Sequence, residues 1–325
     1  MGVLVTGATG TIGPLLVDHL LSNGHFVRVF SRHKTKPLSS HRNLDIIQGD
    51  IRDPASLSKA MDQVDVVFHL AAKLHINNPS PELYDEYYQI NVQGSANVAK
   101  AVVENNVDRL VHFSTINVYG ASHKSSELFD EISPYRPQSI YAESKAEAEK
   151  AILEIFRNLK SSSMVILRLA AVYGPQMQGN YGLLVKALRN RLFWPIGPCD
   201  NRRTLVFIDD LIRGALLAAV HPKAAGEVYN LTDGRTHTLM QIIEAISNAI
   251  GRKPPRIHIP ENYARFMAAT ADKALAFGGR SHARLGVLIE KLLEDVAVSG
   301  DKMCRDLGFR PQVPLLQGWQ RAVYE

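Results

Sequence analysis

Cysteine is nearly missing. The 325-residue chain carries two, Cys199 and Cys304. Two thiols cannot build a disulfide framework or a zinc site of several thiolates, and a reducing compartment is the simplest expectation. Long apolar runs are missing as well. No stretch nears the roughly 18 uninterrupted apolar residues of a membrane span. No basic, then apolar leader opens the chain: Val3-Leu4-Val5 reads as a buried strand and runs straight into a glycine loop. A cytoplasmic location is expected. A strong excess of one charge is also lacking, with Lys+Arg 37 against Asp+Glu 32 and a formal net charge of +5. Spread over this length, that balance is a poor footprint for nucleic acid, and no nucleic-acid partner is expected.

What is present is ordinary globular composition, 46% hydrophobic and 21% charged, in a chain long enough for about two domains. Strand-like runs at 2–6, 26–30, 45–48, 65–70, 109–113 and 164–169 alternate with helix-length amphipathic segments at 12–22, 54–61, 84–105 and 141–159. Strands separated by helices imply βαβ crossovers and a doubly wound parallel sheet. After residue 173 the rhythm breaks, with Gly, Pro and Asn clustered at 174–182 and 195–201. Strands at 204–208 and 227–231 then flank a helix at 210–220, and the rest reads as helical with Pro-rich joints. The expected division is a Rossmann-type dinucleotide-binding domain, 1–173 plus 204–232. A smaller interleaved substrate domain takes 174–203 plus 233–325. Residues 280–291 (RSHARLGVLIEK) could face a membrane, but a solvated basic helix face is the simpler reading, and no membrane partner is expected.

Gly7, Gly10 and Gly13 are spaced by three between the first strand and the first helix. One glycine serves the turn out of the strand, one lets backbone approach a pyrophosphate, and one lets the helix pack closely on the sheet. The helix N-terminus then offers free N–H groups to the phosphates.

The loop TGATGTIG (6–13), GD (49–50), HLAA (69–72), NVQGSANV (91–98), FSTINVYG (113–120), YAESK (141–145), VYGP (172–175) and RRTLVFIDD (202–210) follow one another along nearly the whole chain. In order and spacing this series resembles the extended short-chain dehydrogenase/reductase family, of the NAD(P)-dependent epimerase/dehydratase type. The resemblance implies an enzyme. It also implies a cofactor site that includes Gly7, Thr9, Gly10, Thr11, Ile12, Gly13, Ile51, Leu70, Ala71 and Ala72, with Asp50 on the adenine. Asp50 could equally cap the following turn. Family members that hold NAD usually end the second strand in Asp; here stand Ser31 and Arg32, then His33 and Lys34. Ser and Arg can bond a 2′-phosphate that a carboxylate would repel, which favours NADP over NAD. A solvated basic loop without selectivity is the alternative.

Tyr141 and Lys145 stand at i and i+4, one turn apart on one helix face. A phenol titrates near 10, and an adjacent ammonium together with an oxidised nicotinamide brings it into reach as an acid/base. The resemblance adds ribose binding to Lys145 and makes Thr115 the catalytic hydroxyl, with Ser114 its neighbour and possible substitute at the substrate. Ile116 and Asn117 follow Thr115 where sugar-nucleotide dehydratases carry Asp-Glu, which argues against dehydration. Asn91 matches a family residue that bonds backbone behind the site. Arg203 matches an arginine that clamps a nucleotide-sugar pyrophosphate; as a structural residue it would most simply pair with Asp209 or another nearby carboxylate. Arg202 shares that work or is solvated. Asn180 matches an Asn near the substrate phosphates or caps a helix. Ala171 departs from an Asn that many nucleotide-sugar epimerases place there. His69, His75, His112 and His123 show no ligand spacing, so no metal is expected.

The leading reading is therefore an oxidoreductase or epimerase, a 4-epimerase or 4-keto reductase, with a nucleotide-linked sugar as its small-molecule substrate. Ala171 and Leu192-Phe193-Trp194 lean instead toward a bulky apolar alcohol, as in the 3β-hydroxysteroid branch. A non-catalytic NAD(P)-sensing protein is a third reading, against which the intact Tyr141 and Lys145 stand. The resemblance also implies a homodimer through the helices at 92–104 and 141–159, where Ala96, Ala99, Ala101, Ala142, Ala146 and Ala148 would permit close approach.

Overall fold

The structure is a computed structural model. It describes residues 1–33, 41–74, 83–122, 127–159, 162–175, 177, 179–277 and 285–324, with side chains at 273–277 excepted. Lys34, His75, His123 and the basic residues at 280–284 lie outside the described residues.

Seven parallel strands form the central sheet: β1 (Gly2–Thr6), β2 (Phe26–Ser31), β3 (Leu44–Gln48), β4 (Val66–His69), β5 (Arg109–Thr115), β6 (Ser163–Leu169) and β9 (Glu227–Leu231). Their order is β3-β2-β1-β4-β5-β6-β9. The strands read as continuous apolar runs because both faces are covered, and their alternation splits the core in two. Val3, Val5, Phe68, Val111 and Val165 pack with Leu16 and Leu20 of α1 (Gly13–Ser22) and Leu211 and Ala215 of α7 (Ile208–Val220). Leu4, Val67, Leu110 and Ile166 pack with Leu57 of α2 (Pro54–Ala60), Val98 and Val102 of α4 (Gly94–Glu104) and Ile152 of α5 (Ile140–Phe156). The helix expected over 84–105 runs as α3 (Tyr84–Tyr87), a wide turn at Tyr88–Gln93, and α4.

The second half departs from the plain alternation of the first. The strand expected at 204–208, β8 (Arg202–Phe207), does not join the large sheet. It runs parallel to β7 (Ala171–Tyr173) and antiparallel to β10 (Thr236–Thr238) in a separate three-stranded sheet. The Gly/Asn-rich region after 174 is not all loop, since α6 (Asn180–Arg189) starts inside it and buries Leu184, Val185 and Leu188. The remaining helices are α8 (Leu239–Ala249), α9 (Glu261–Phe277), α10 (Leu285–Leu293), α11 (Asp301–Leu307) and α12 (Leu315–Tyr324). Trp319 of α12 is fully buried and stacks on Tyr173, ring centroids 4.6 Å apart. Among the described residues no helix is long and apolar enough to cross a membrane.

Ala99, Ala101, Ala142, Ala146 and Ala148 are buried inside the single chain, where α4 and α5 pack together against the sheet. The small-residue pattern is thus used within the protomer, and the homodimer keeps only the family resemblance as its support.

A charged cluster lies in the interior behind β5. Glu149 of α5 and Arg168 of β6 pair at 2.7 Å with side chains 0% and 4% exposed. Arg168 also donates to the hydroxyls of Tyr119 (2.6 Å) and Tyr135 (2.8 Å), and Tyr119 donates to Asn230 of β9 (2.8 Å). A buried charge stripped of its partner is strongly destabilising. Arg168→Met is expected to lower the unfolding free energy by about 3–5 kcal/mol in urea melts. Arg168→Lys should restore only part of this, because an ammonium lacks the planar fork that serves Glu149, both tyrosines and the Glu131 carbonyl together.

Candidate active site

The sheet reverses strand order at β1, which pairs with β2 on one side and β4 on the other. At such a switch point the carboxyl ends of the strands leave a crevice for ligands. The glycine loop fills its floor. Gly7 has φ +73°, and a Cβ there would stand 2.5 Å from the backbone nitrogen of Ala71. A Cβ on Gly13 would stand 2.4 Å from Cα of Ala8, so only glycine lets α1 approach β1 this closely. A Cβ on Gly10 would meet only the Gly7 carbonyl, at 3.4 Å. α1 starts after Ile12 with no side-chain cap, so its first N–H groups are left for a phosphate. Thr9 and Thr11 are exposed on this loop; Leu70, Ala71 and Ala72 follow β4, with Leu70 and Ala71 against Gly7. These residues fit a dinucleotide.

On the adenine side, Ser31 ends β2 and Arg32 is exposed beside it. Asp50 accepts from the backbone N–H of Arg52 (2.9 Å) and binds its guanidinium (2.6 Å). These bonds hold the Asp50 carboxyl below its ordinary range, so the turn-capping role is present in the structure. Ile51 is buried against Gly94, where any Cβ would stand 2.6 Å from its Cδ1.

α5 carries the catalytic candidates in successive turns. Ser139 caps it, accepting from Ala142 N–H at 3.2 Å, and puts Tyr141 in the first turn, Lys145 in the second and Glu149 in the third. Ser144 donates to the Tyr141 carbonyl (2.8 Å) and accepts from Asn91 (2.9 Å). Asn91 also bonds both the N–H (2.7 Å) and the C=O (3.1 Å) of Lys73, the backbone role read from the sequence. The Lys145 ammonium is buried and stands 3.3 Å from Nε2 of His112. Burial, countered in part by Glu149, lowers Lys145 to about 8. Burial first and Tyr87 second raise Tyr141 to about 12. The phenol by itself is therefore neutral, a proton donor rather than a base.

Sequence reasoning missed His112 and Glu149. His112 is buried between Lys145 and His69, and burial together with the Lys145 charge drives it well below its ordinary value, so it stays neutral and can accept from the ammonium. His69 bonds Thr6 (2.7 Å) and Ser95 (2.9 Å), and burial lowers it to about 3. Glu149 had a visible signal, the same four-residue step that joins Tyr141 to Lys145.

A cavity of about 510 Å³ opens beside this helix. Thr115, Ser139, Asn180, Arg203 and Lys291 are among the residues that line it. Thr115 accepts from Asn117 N–H (3.2 Å), which leaves its hydroxyl proton for a substrate oxygen. Ser114, expected at the substrate, turns the other way: it is buried and donates to Glu149, because successive strand residues face opposite sides. Asn180 is the first residue of α6 after Gly179, so it faces the cavity and is not the helix cap. Arg203 lines the cavity, but its guanidinium donates to the carbonyls of Lys291 (2.8 Å), Leu292 (3.2 Å) and Glu294 at the end of α10. Asp209 pairs with Arg321 instead (2.7 Å). Arg202 is partly exposed, is bound to Asp295 (2.7 Å) and does not line this cavity.

Residues 3–232 match the NAD dependent epimerase/dehydratase family. The chain belongs to that family. It is 26% identical to the N-acetyl-α-D-glucosaminyl-diphospho-ditrans,octacis-undecaprenol 4-epimerase of Escherichia coli O157:H7, over 99% of this chain and 94% of the relative. It is 29% identical to a 3β-hydroxysteroid dehydrogenase/Δ5→4-isomerase of Mycobacterium tuberculosis, over 95% of this chain and 86% of that one. The UDP-glucose 4-epimerase of Thermotoga maritima shares its fold, with a TM-score of 0.78 at 23% identity, over 99% and 97% of the two chains. Family membership makes the chain an enzyme that uses a nicotinamide dinucleotide.

Two measurements check the site. Tyr141→Phe should leave cofactor affinity within a few-fold and cut turnover by at least ~100-fold, the scale of a lost general acid/base. Cofactor affinity should be flat below pH about 8 and fall above it, as Lys145 loses the charge that binding favours. Lys145→Ala should lower affinity and erase that pH dependence in a fluorescence titration.

Proposed function

We propose that this protein is an NAD(P)-dependent 4-epimerase or 4-keto reductase of a sugar linked to a nucleoside diphosphate. One observation carries the reading: a single cavity joins the Thr115 hydroxyl to the cations Arg203 and Lys291. Tyr141 gives or takes the proton at the reacting oxygen, Lys145 holds the ribose side and stabilises the phenolate, and Thr115 bonds the substrate oxygen. When bound, the dinucleotide supplies the hydride acceptor or donor. Asn180 and the two cations serve the diphosphate.

A second reading, a bulky apolar alcohol, is favoured by the cavity wall. Ala170, Ala171, Leu184, Phe193, Leu239 and Val296 dominate it, and Arg203 is already hydrogen-bonded to α10. Calorimetry with uridine diphosphate and with an apolar cyclic alcohol separates the two. The first reading expects the nucleotide to bind, Arg203→Ala to weaken it at least about tenfold, and the cofactor to be left within a few-fold. No nucleotide binding at millimolar level, with good binding of the alcohol, would install the second.

The same site favours NADP. Ser31 and Arg32 stand at the end of β2 without a carboxylate of their own to repel a 2′-phosphate. NADPH should bind at least about tenfold more tightly than NADH, the worth of one charge-assisted contact, and Arg32→Ala should narrow the gap. Equal affinities return Arg32 to a solvated loop. NAD that co-purifies tightly would favour an epimerase, and an empty site that takes NADPH a reductase.

A further inference from the structure

Apolar side chains crowd the surface around the mouth of the cavity. Leu183 of α6 and Leu288 of α10 line the cavity and are themselves exposed. Leu192 and Trp194, on either side of the cavity residue Phe193, are exposed as well. The chain then runs beside a second exposed segment: Gly197 N–H donates to the Ile259 carbonyl (2.9 Å), and Ile259 N–H to the Pro195 carbonyl (2.8 Å). Within a few residues of that seam stand exposed Ile257 and, on α9, exposed Tyr263, Phe266 and Met267. Positions 263, 266 and 267 share one helix face. An Arg265–Glu290 ion pair ties α9 to α10 and so to the cavity wall. A set of large apolar residues this extensive on one side of a protein marks an interaction surface.

The charge of this region names the partner. Lys186, Arg189, Arg191, Lys253 and Arg256 are exposed, and none makes an ion pair among the described residues. The acids in segments 186–200 and 252–267 are only Asp200 and Glu261. Exposed Leu, Trp, Tyr and Phe interleaved with free Lys and Arg is the composition of an interfacial element that lies on an anionic bilayer.

We propose that this face docks the protein on an anionic membrane surface, with the cavity mouth turned to the lipid. The sequence alone did not indicate this, because the two segments are about 60 residues apart in the chain and each reads separately as loop or solvated helix. Docking brings the cavity to alcohols or diphosphates that carry an apolar anchor, and it holds under either substrate reading.

The molecule carries its own reporter: of its two tryptophans, Trp194 is 50% exposed and Trp319 is 0% exposed. The intact protein is mixed with phosphatidylcholine vesicles, with and without about 30% phosphatidylglycerol, in about 0.1 M salt. The expected result is a blue shift of Trp emission and co-sedimentation with the anionic vesicles only, both weakened at about 0.5 M salt. Replacing Lys186, Arg189 and Arg191 by Gln should lower the partition coefficient about 100-fold, at about fivefold per cation. Trp194→Ser should lower it at least about tenfold in co-sedimentation. All four sites are exposed, and an unchanged cofactor titration certifies each variant as folded. Absence of shift and of co-sedimentation overturns the proposal, as does binding that the Gln variant leaves intact. Concentration-dependent dimerisation that Trp194→Ser abolishes, without vesicle binding, would assign the face to a second copy and also overturn it.

Discussion

The buried pair Glu149–Arg168 is the constraint on which the catalytic side depends. Glu149 is one turn beyond Lys145 and two beyond Tyr141, so fixing its carboxylate fixes the rotation of α5 about its axis. Arg168 anchors that carboxylate to β6, Ser114 ties it to β5, and Tyr119 passes the connection on to Asn230 of β9. Three adjacent strands thereby hold one helix in register. Lys145 lies in the same interior, and its burial lowers its pKa while the Glu149 charge counters part of the fall.

Cofactor and substrate regions differ in how rigidly they are built. The glycine loop is set by backbone contacts that no side chain could enter, at Gly7 against Ala71 and at Gly13 against Ala8. The cavity wall, by contrast, draws on many separate elements, among them β5, α5, β7, α6, β8, α8 and α10. Its shape follows from how the smaller sheet and the C-terminal helices pack, and single substitutions such as Ala171 change its chemistry without touching the dinucleotide crevice.

Much of this was legible in the sequence. Most strands of the large sheet are short apolar runs with helix-length spacers between them, and the Tyr141–Lys145 step is local. What escaped was short or distant. β7 and β10 have three residues each, too few to show an alternation, and with them went the true partners of β8. α6 hid behind its glycines and asparagines. Ser114 and Thr115 are adjacent hydroxyls, and only the pleat of β5 decides which one meets the cavity. Arg203 resembled a free anion clamp because the carbonyls that occupy it lie some 90 residues downstream.

That occupancy changes what binding means at Arg203. A guanidinium held by water is released at little cost, but one that holds the end of a helix is part of the fold. An anion that engages it takes over bonds from Lys291, Leu292 and Glu294, and those carbonyls must find other donors or let α10 move. Ligand affinity and the position of α10 then form one equilibrium. Tightening the helix against its neighbours weakens the ligand, and loosening it strengthens the ligand by the same free energy.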